Sequence, residues 1–176
     1  MVRWCSSRPR SCTAPHPTCP RGPSVAHRHA QRLYGGICGT DLHLQQGHLA
    51  IPTPLVLGHE GYGTVLELGA GGDRDASGEP LSVGDPVMRA SSIACGLCPP
   101  CRVHREPTLC QNRRTYGVNR ASTDDAALSG SWADHIVPQQ GTTVVRAAPG
   151  VSATAAMALA CAGPTVVHAL YERAVR

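Results

Sequence analysis

Four cysteines within sixteen residues, Cys95-Gly-Leu-Cys98-Pro-Pro-Cys101 followed by Cys110, constrain this chain more than any other feature. A stretch so rich in sulfur, glycine and proline has no apolar run from which to build a core, so something other than hydrophobic burial has to close it. Four thiolates suit a tetrahedral zinc ion in a closed structural site, with Gly96 and the prolines letting the backbone bend around the metal. A lone C-x-x-C would be a redox candidate, but the pattern offers no βαβ context and supplies extra sulfurs. The full count of nine cysteines is odd, and tight clustering of this kind favours metal over disulfides.

A second dense stretch runs from Gly35 to Gly63, as GGICGTDLH, a spacer, then GHEGYG. It brings Cys38, Thr40, Asp41, His43, His59 and Glu60 close together in sequence. Taken singly, Cys38 reads as a buried small residue and His59 as a satisfied core imidazole. Together they offer a thiolate and an imidazole, which suit a borderline-soft ion such as zinc. A catalytic zinc takes three protein ligands and keeps one position open. Cys38 and His59 supply two. Glu60, beside His59, and Cys161, in ALACAGP far along the chain, are the candidates for the third.

The formal net charge of +4 invites a nucleic-acid partner, but its distribution argues against one. Six of the sixteen arginines lie before residue 34, leaving ten against twelve acidic residues in the body. That body has no basic face for phosphates, and its few aromatics give no base-stacking platform. No run of about 18 apolar residues is present, so no membrane span is expected. The first 33 residues lack the apolar stretch of a signal peptide, so a cytoplasmic location is expected.

Three segments differ in texture. Residues 1–33 are rich in Arg, Pro, Ser, Cys and His without periodicity and read as a disordered tail, unlike the rest of the chain. The spacing of Cys5, Cys12 and Cys19 there fits no common metal site, and such text would also arise from a frame error in a GC-rich gene. Residues 34–149 alternate short apolar runs with Gly, Pro and Asp, which predicts a mainly β body. Strands are expected at Pro54–Leu57, Tyr62–Leu68, Asp85–Met88, Trp132–Val137 and Thr142–Val145, with loops over residues 69–84 and 119–131. Residues 150–176 predict helices: Ser152 as N-cap of an Ala-rich helix to Cys161, then a second restarting at Gly163-Pro164.

These motifs together resemble the N-terminal part of zinc-dependent medium-chain alcohol dehydrogenases, over about residues 34–176. GICGTDLH resembles that family's first ligand motif, GHEGYG its second, CGLCPPC with Cys110 its structural zinc lobe, and CAGPTVVHAL the segment carrying a third ligand. The resemblance implies a GroES-like, partly open β-barrel with a zinc-binding loop. It also implies a C-terminal helical stub of a Rossmann cofactor domain. Cys38, His59 and Cys161 would bind catalytic zinc, with Glu60 close by as outer partner or alternate ligand, and Cys95, Cys98, Cys101 and Cys110 structural zinc. Asp41 would orient the His59 imidazole, Thr40 would contact the substrate hydroxyl, and His43 would pass its proton to solvent. The implied reaction is oxidation of a small-molecule alcohol to an aldehyde or ketone, with hydride transfer to NAD or NADP.

Three departures from the family are visible. The Cys101 to Cys110 spacing is one residue longer than usual, and residues 1–33 do not resemble the family's opening strands, so an unpaired barrel edge is expected. No G-x-G-x-x-G follows a strand anywhere in the 176 residues, so no cofactor site is expected in them. The chain then reads as an inactive or incomplete fragment of such an enzyme, with a non-enzymatic zinc-binding or interaction module as the rival reading. Oligomers are implied only for full-length family members.

Overall fold

The run GYGTVLE builds the central strand of the fold. In the computed structural model, which describes residues 29–51, 53–69, 74–121 and 130–174, this is β2 (Gly61–Glu67). It pairs antiparallel with β1 (His29–Gly35) on one side and β3 (Pro86–Arg89) on the other. Two short strands complete the sheet: β6 (His135–Ile136) beside β1 and β7 (Val144–Arg146) beside β3. The order is β6-β1-β2-β3-β7. A separate ribbon, β4 (Ser92–Ile93) with β5 (Arg114–Thr115), closes the base of the cysteine lobe. Both sheets are open among the described residues, and mainly β architecture is what the short apolar runs predict.

Val65, Leu81, Val87 and Val144 form the buried cluster, with Leu68 packed against it. Val65 and Val87 come from the paired strands β2 and β3 and Val144 from β7, so burying one apolar face joins the sheet's central and edge strands.

The boundary expected at residue 34 falls inside β1, which begins at His29. The strand occupies an inner position in the sheet, so the expected unpaired edge is filled there. Its register slips between His29 and Ala30 and again between Arg32 and Tyr34. Such bulges break the two-residue alternation by which a strand is recognised. Pro54–Leu57 is not a strand, and Pro54 has no N–H to give a ladder. The strand expected over Trp132–Val137 shrinks to its centre. Residues 1–28, with Cys5, Cys12 and Cys19, and parts of the two expected loops (70–73 and 122–129) lie outside the described residues.

Helices are few: α1 (Gly39–Gln45), α2 (Pro99–Arg102), α3 (Ala153–Ala158) and α4 (Ala162–Ala174). Ser152 caps α3 as expected, its Oγ accepting the Ala155 N–H at 3.2 Å. That helix ends three residues before Cys161, in a turn rather than a continuous run. Gly163 permits the tight corner into α4, because a Cβ there would overlap the Ala158 carbonyl oxygen. No helix among the described residues is long and apolar enough to cross a membrane.

Candidate metal centres

In the cysteine lobe, the Sγ atoms of Cys95, Cys98, Cys101 and Cys110 all lie within 4.8 Å of one another. Cys98 Sγ stands 3.4 Å from that of Cys101 and 3.9 Å from that of Cys110. Disulfide sulfurs would be about 2.05 Å apart. Zn–S bonds of about 2.3 Å in a tetrahedron place sulfurs about 3.8 Å apart, so the set fits zinc. Backbone geometry prepares it. The N–H groups of Leu97 and Cys98 point at Cys95 Sγ, each at 3.4 Å, and the Cys95 N–H points at Cys110 Sγ at 3.2 Å. The hydrogen bonds from Leu97 and Cys98 pull the Cys95 thiol down to about 6, while burial and the Cys98 thiol push Cys101 up to about 12. Four sulfurs this close cannot all ionise unless a cation offsets their repulsion. The longer Cys101–Cys110 spacing is absorbed by α2 and the 3-10 turn Pro107–Leu109.

The second centre gathers residues from three parts of the chain. Cys38 precedes α1, His59 and Glu60 precede β2, and Cys161 stands at the α3–α4 corner. One donor atom from each lies within 4.8 Å of the others. Both candidates for a third ligand are therefore present. His59 is 4% exposed and Asp41 is fully buried. Asp41 Oδ1 lies 3.4 Å from His59 Nδ1, leaving Nε2 as the nitrogen for a metal. Its Oδ2 accepts the Cys38 N–H at 2.9 Å. One carboxylate thus caps α1, fixes Cys38 and steadies the imidazole. Burial, then the neighbouring Cys38, Glu60 and Asp41, push the Cys161 thiol up to about 11. This crowd of acidic donors is what a divalent cation would relieve, and two sulfurs, an imidazole and a carboxylate fit zinc.

Gly36 makes room for Glu60: a Cβ there would overlap the Glu60 carboxylate oxygen. Gly36→Ala is expected to push that carboxylate aside and alter the visible bands of a cobalt-loaded chain, while the bands of the cysteine lobe stay unchanged. Asp41→Asn removes the carboxylate charge that stands 3.4 Å from His59 Nδ1. Metal affinity at the second centre is expected to fall about 10- to 100-fold, as for other partners of metal-bound histidines, which a chelator competition would read.

Thr40 and His43 lie three residues apart on α1, neighbours on its surface, while Asp41 and Leu44 of the same helix are buried. Thr40 Oγ1 lies 3.9 Å from Cys38 Sγ. His43 is exposed, its Nδ1 3.2 Å from Nδ1 of His48. Sequence reasoning does not single out His48, nor Arg89, Ser131 and Trp132, which pack behind the ligands. The one sequence signal for them is a lone charge, Arg89, in the otherwise apolar strand PVMR.

A profile of the alcohol dehydrogenase GroES-like domain matches residues 31–149, starting inside β1. The chain is 35% identical over 144 residues to 5-exo-hydroxycamphor dehydrogenase of Pseudomonas putida, covering 80% of this chain and 37% of that protein. Cinnamyl alcohol dehydrogenase 8 of Arabidopsis thaliana is 36% identical over 135 residues, 76% of this chain and 35% of that one. The crystal structure of an alcohol dehydrogenase from Thermotoga maritima superposes with a TM-score of 0.76 at 37% identity, over 84% of this chain and 40% of that chain. The chain therefore spans little more than a third of the length of these curated relatives. The profile covers the strands, the cysteine lobe and two of the clustered donor segments, and on that ground the chain belongs to the zinc-type medium-chain alcohol dehydrogenase family, as its N-terminal GroES-like domain.

Proposed function

We propose that these residues form the metal-binding and alcohol-activating half of a zinc-dependent alcohol dehydrogenase. The observation that carries the reading is the convergence of Cys38, His59, Glu60 and Cys161 from distant segments on one point. Zinc held there supplies a Lewis acid that draws charge from an alcohol or carbonyl oxygen. Cys38, His59 and Cys161 would hold it, with Glu60 close by as outer partner or alternate ligand. Cys95, Cys98, Cys101 and Cys110 hold the structural ion.

The protein's own groups then handle the proton. The Thr40 hydroxyl accepts it from the substrate hydroxyl while releasing its own, and His43, on the same helical face, passes that proton towards solvent. Asp41 keeps the His59 ring in a single orientation throughout. A bound NAD or NADP would supply the hydride acceptor that the oxidation requires. The substrate is a small-molecule alcohol or carbonyl compound, the class to which the relatives' names point.

The 176 residues contain no G-x-G-x-x-G, so we infer that this polypeptide binds metal without by itself holding a nicotinamide against it. Zinc analysis and a nicotinamide-reduction assay of the purified chain test the reading. Two ions per chain, one for each cluster, and no NAD(P)H formation are expected. Measurable NAD(P)H formation would overturn the second inference, and a chain with zinc in the cysteine lobe alone would overturn the first.

A further inference from the structure

Both walls of the Cys38/His59 centre are tied to one segment, Ser131-Trp132, that contributes no ligand. Trp132 Nε1 donates to the Gly36 carbonyl at 3.2 Å, two residues before Cys38. On the other wall the Ser131 and Trp132 N–H groups donate to the carbonyls of Gly58 at 2.6 Å and Leu57 at 3.0 Å, immediately ahead of His59. Gly58, at φ +96°, is needed there: a Cβ would stand 2.9 Å from the Trp132 nitrogen.

Arg89, at the end of β3 and 7% exposed, anchors the segment. Its Nη2 donates to Ser131 Oγ at 2.6 Å, and its Nη1 to the carbonyls of His59 at 3.4 Å and Ala90 at 3.2 Å. The Tyr116 ring lies 3.8 Å from the guanidinium carbon. Gly61 leaves the space, since a Cβ would come within 2.8 Å of Ser131 Oγ and 3.7 Å of Arg89 Nε. Stability alone does not call for a buried cation here, because a well-packed apolar side chain would avoid its desolvation cost. A planar fork of donors, by contrast, is suited to fixing several acceptors relative to one another.

We propose that Arg89 is a positioning residue for the metal centre, holding the His59 carbonyl and Ser131 so that the Cys38 and His59 donors keep their spacing. It touches neither metal nor substrate and acts through Ser131, Trp132 and the His59 backbone. The inference rests on the metal-centre reading above.

Cobalt titration of the full 176-residue chain tests it, with the four-cysteine lobe as internal standard. In Arg89→Met the Cys38/His59 site should weaken about tenfold or more, the scale of lost outer-shell support. Its d–d bands should shift while the lobe keeps its affinity. Arg89→Lys, which retains the charge but not the fork, should recover only part of the loss. Ser131→Ala should weaken the same site by several-fold. Equal weakening of both sites, or unchanged affinity and bands in Arg89→Met and Ser131→Ala, overturns the proposal. Where Arg89→Met fails to fold, Ser131→Ala decides: shifted bands with the lobe intact support the proposal, and unshifted bands overturn it. A wild-type chain that binds cobalt only in the lobe overturns the metal-centre reading and this proposal together. Two wild-type sites with unaltered variants overturn the role of Arg89 alone.

Discussion

Cys98→Ser will release one of the two expected zinc ions and leave the cysteine lobe without a fold. The lobe has no apolar core: Leu97, Val103 and Leu109 are 76%, 72% and 67% exposed, and its helices are single turns. Cys98 Sγ is buried and stands 3.4 Å from the Cys101 sulfur and 3.9 Å from that of Cys110. Serine offers a harder, more basic donor and leaves three sulfurs, too few for a closed tetrahedral site. With metal supplying most of the order in such a loop, its loss should expose residues 95–113 to proteolysis while the sheet persists. Zinc content should fall from two ions to one, and limited digestion should cut first inside the lobe. Retention of both ions in Cys98→Ser would contradict the structural role.

Acidity should act on the same site in a defined direction. With Cys101 pushed up to about 12, its thiol carries a proton at neutral pH that metal must displace. Cys95, pulled down to about 6, is ionised at neutral pH and takes up a proton as pH falls through 6. Lobe affinity should therefore rise with pH, about tenfold per unit for each proton displaced, and drop further below pH 6. Zinc dissociation constants measured by chelator competition at pH 6 and pH 8 read this slope.

His59→Ala should do the reverse of Cys98→Ser, emptying the Cys38/His59 centre and sparing the lobe. It removes the ligand from the GHEGYG turn and deprives Asp41 of its partner. Asp41 is fully buried, and only one of its oxygens keeps the Cys38 N–H. Removing the imidazole that stands 3.4 Å from the other oxygen also leaves a cavity beside this buried carboxylate, which should lower stability on top of the lost metal. The expected result is one zinc ion per chain, held by sulfur alone, with a lowered denaturation midpoint. Two ions in His59→Ala would remove His59 from the ligand set.

The parts of this molecule that are legible in sequence are those whose partners lie nearby. The cysteine lobe is local, so its ligand spacing carries its geometry. Cys38, Thr40, Asp41 and His43 lie within six residues, so their grouping is likewise local. Cys161 is different: alone it reads as a small apolar residue in an Ala-rich helix. The residues leave it one of two candidates beside Glu60, the family resemblance favours it, and the α3–α4 corner places it beside Cys38 and His59. Strand β1 escapes a sequence reading because its register slips twice within seven residues, erasing the alternation. Arg89 escapes for a related reason. Its partners are a carbonyl 30 residues away and a hydroxyl 42 residues away, contacts that no local pattern encodes.

Two chemically different metal centres are expected to coexist in this chain. Zinc K-edge absorption on the purified protein tests this most directly, because sulfur and nitrogen or oxygen neighbours differ in distance, about 2.3 Å against about 2.0–2.1 Å. Six cysteines shared between two ions predict an average of three sulfurs per zinc, with the remainder lighter atoms including an imidazole. A single zinc per chain surrounded by four sulfurs would contradict the account.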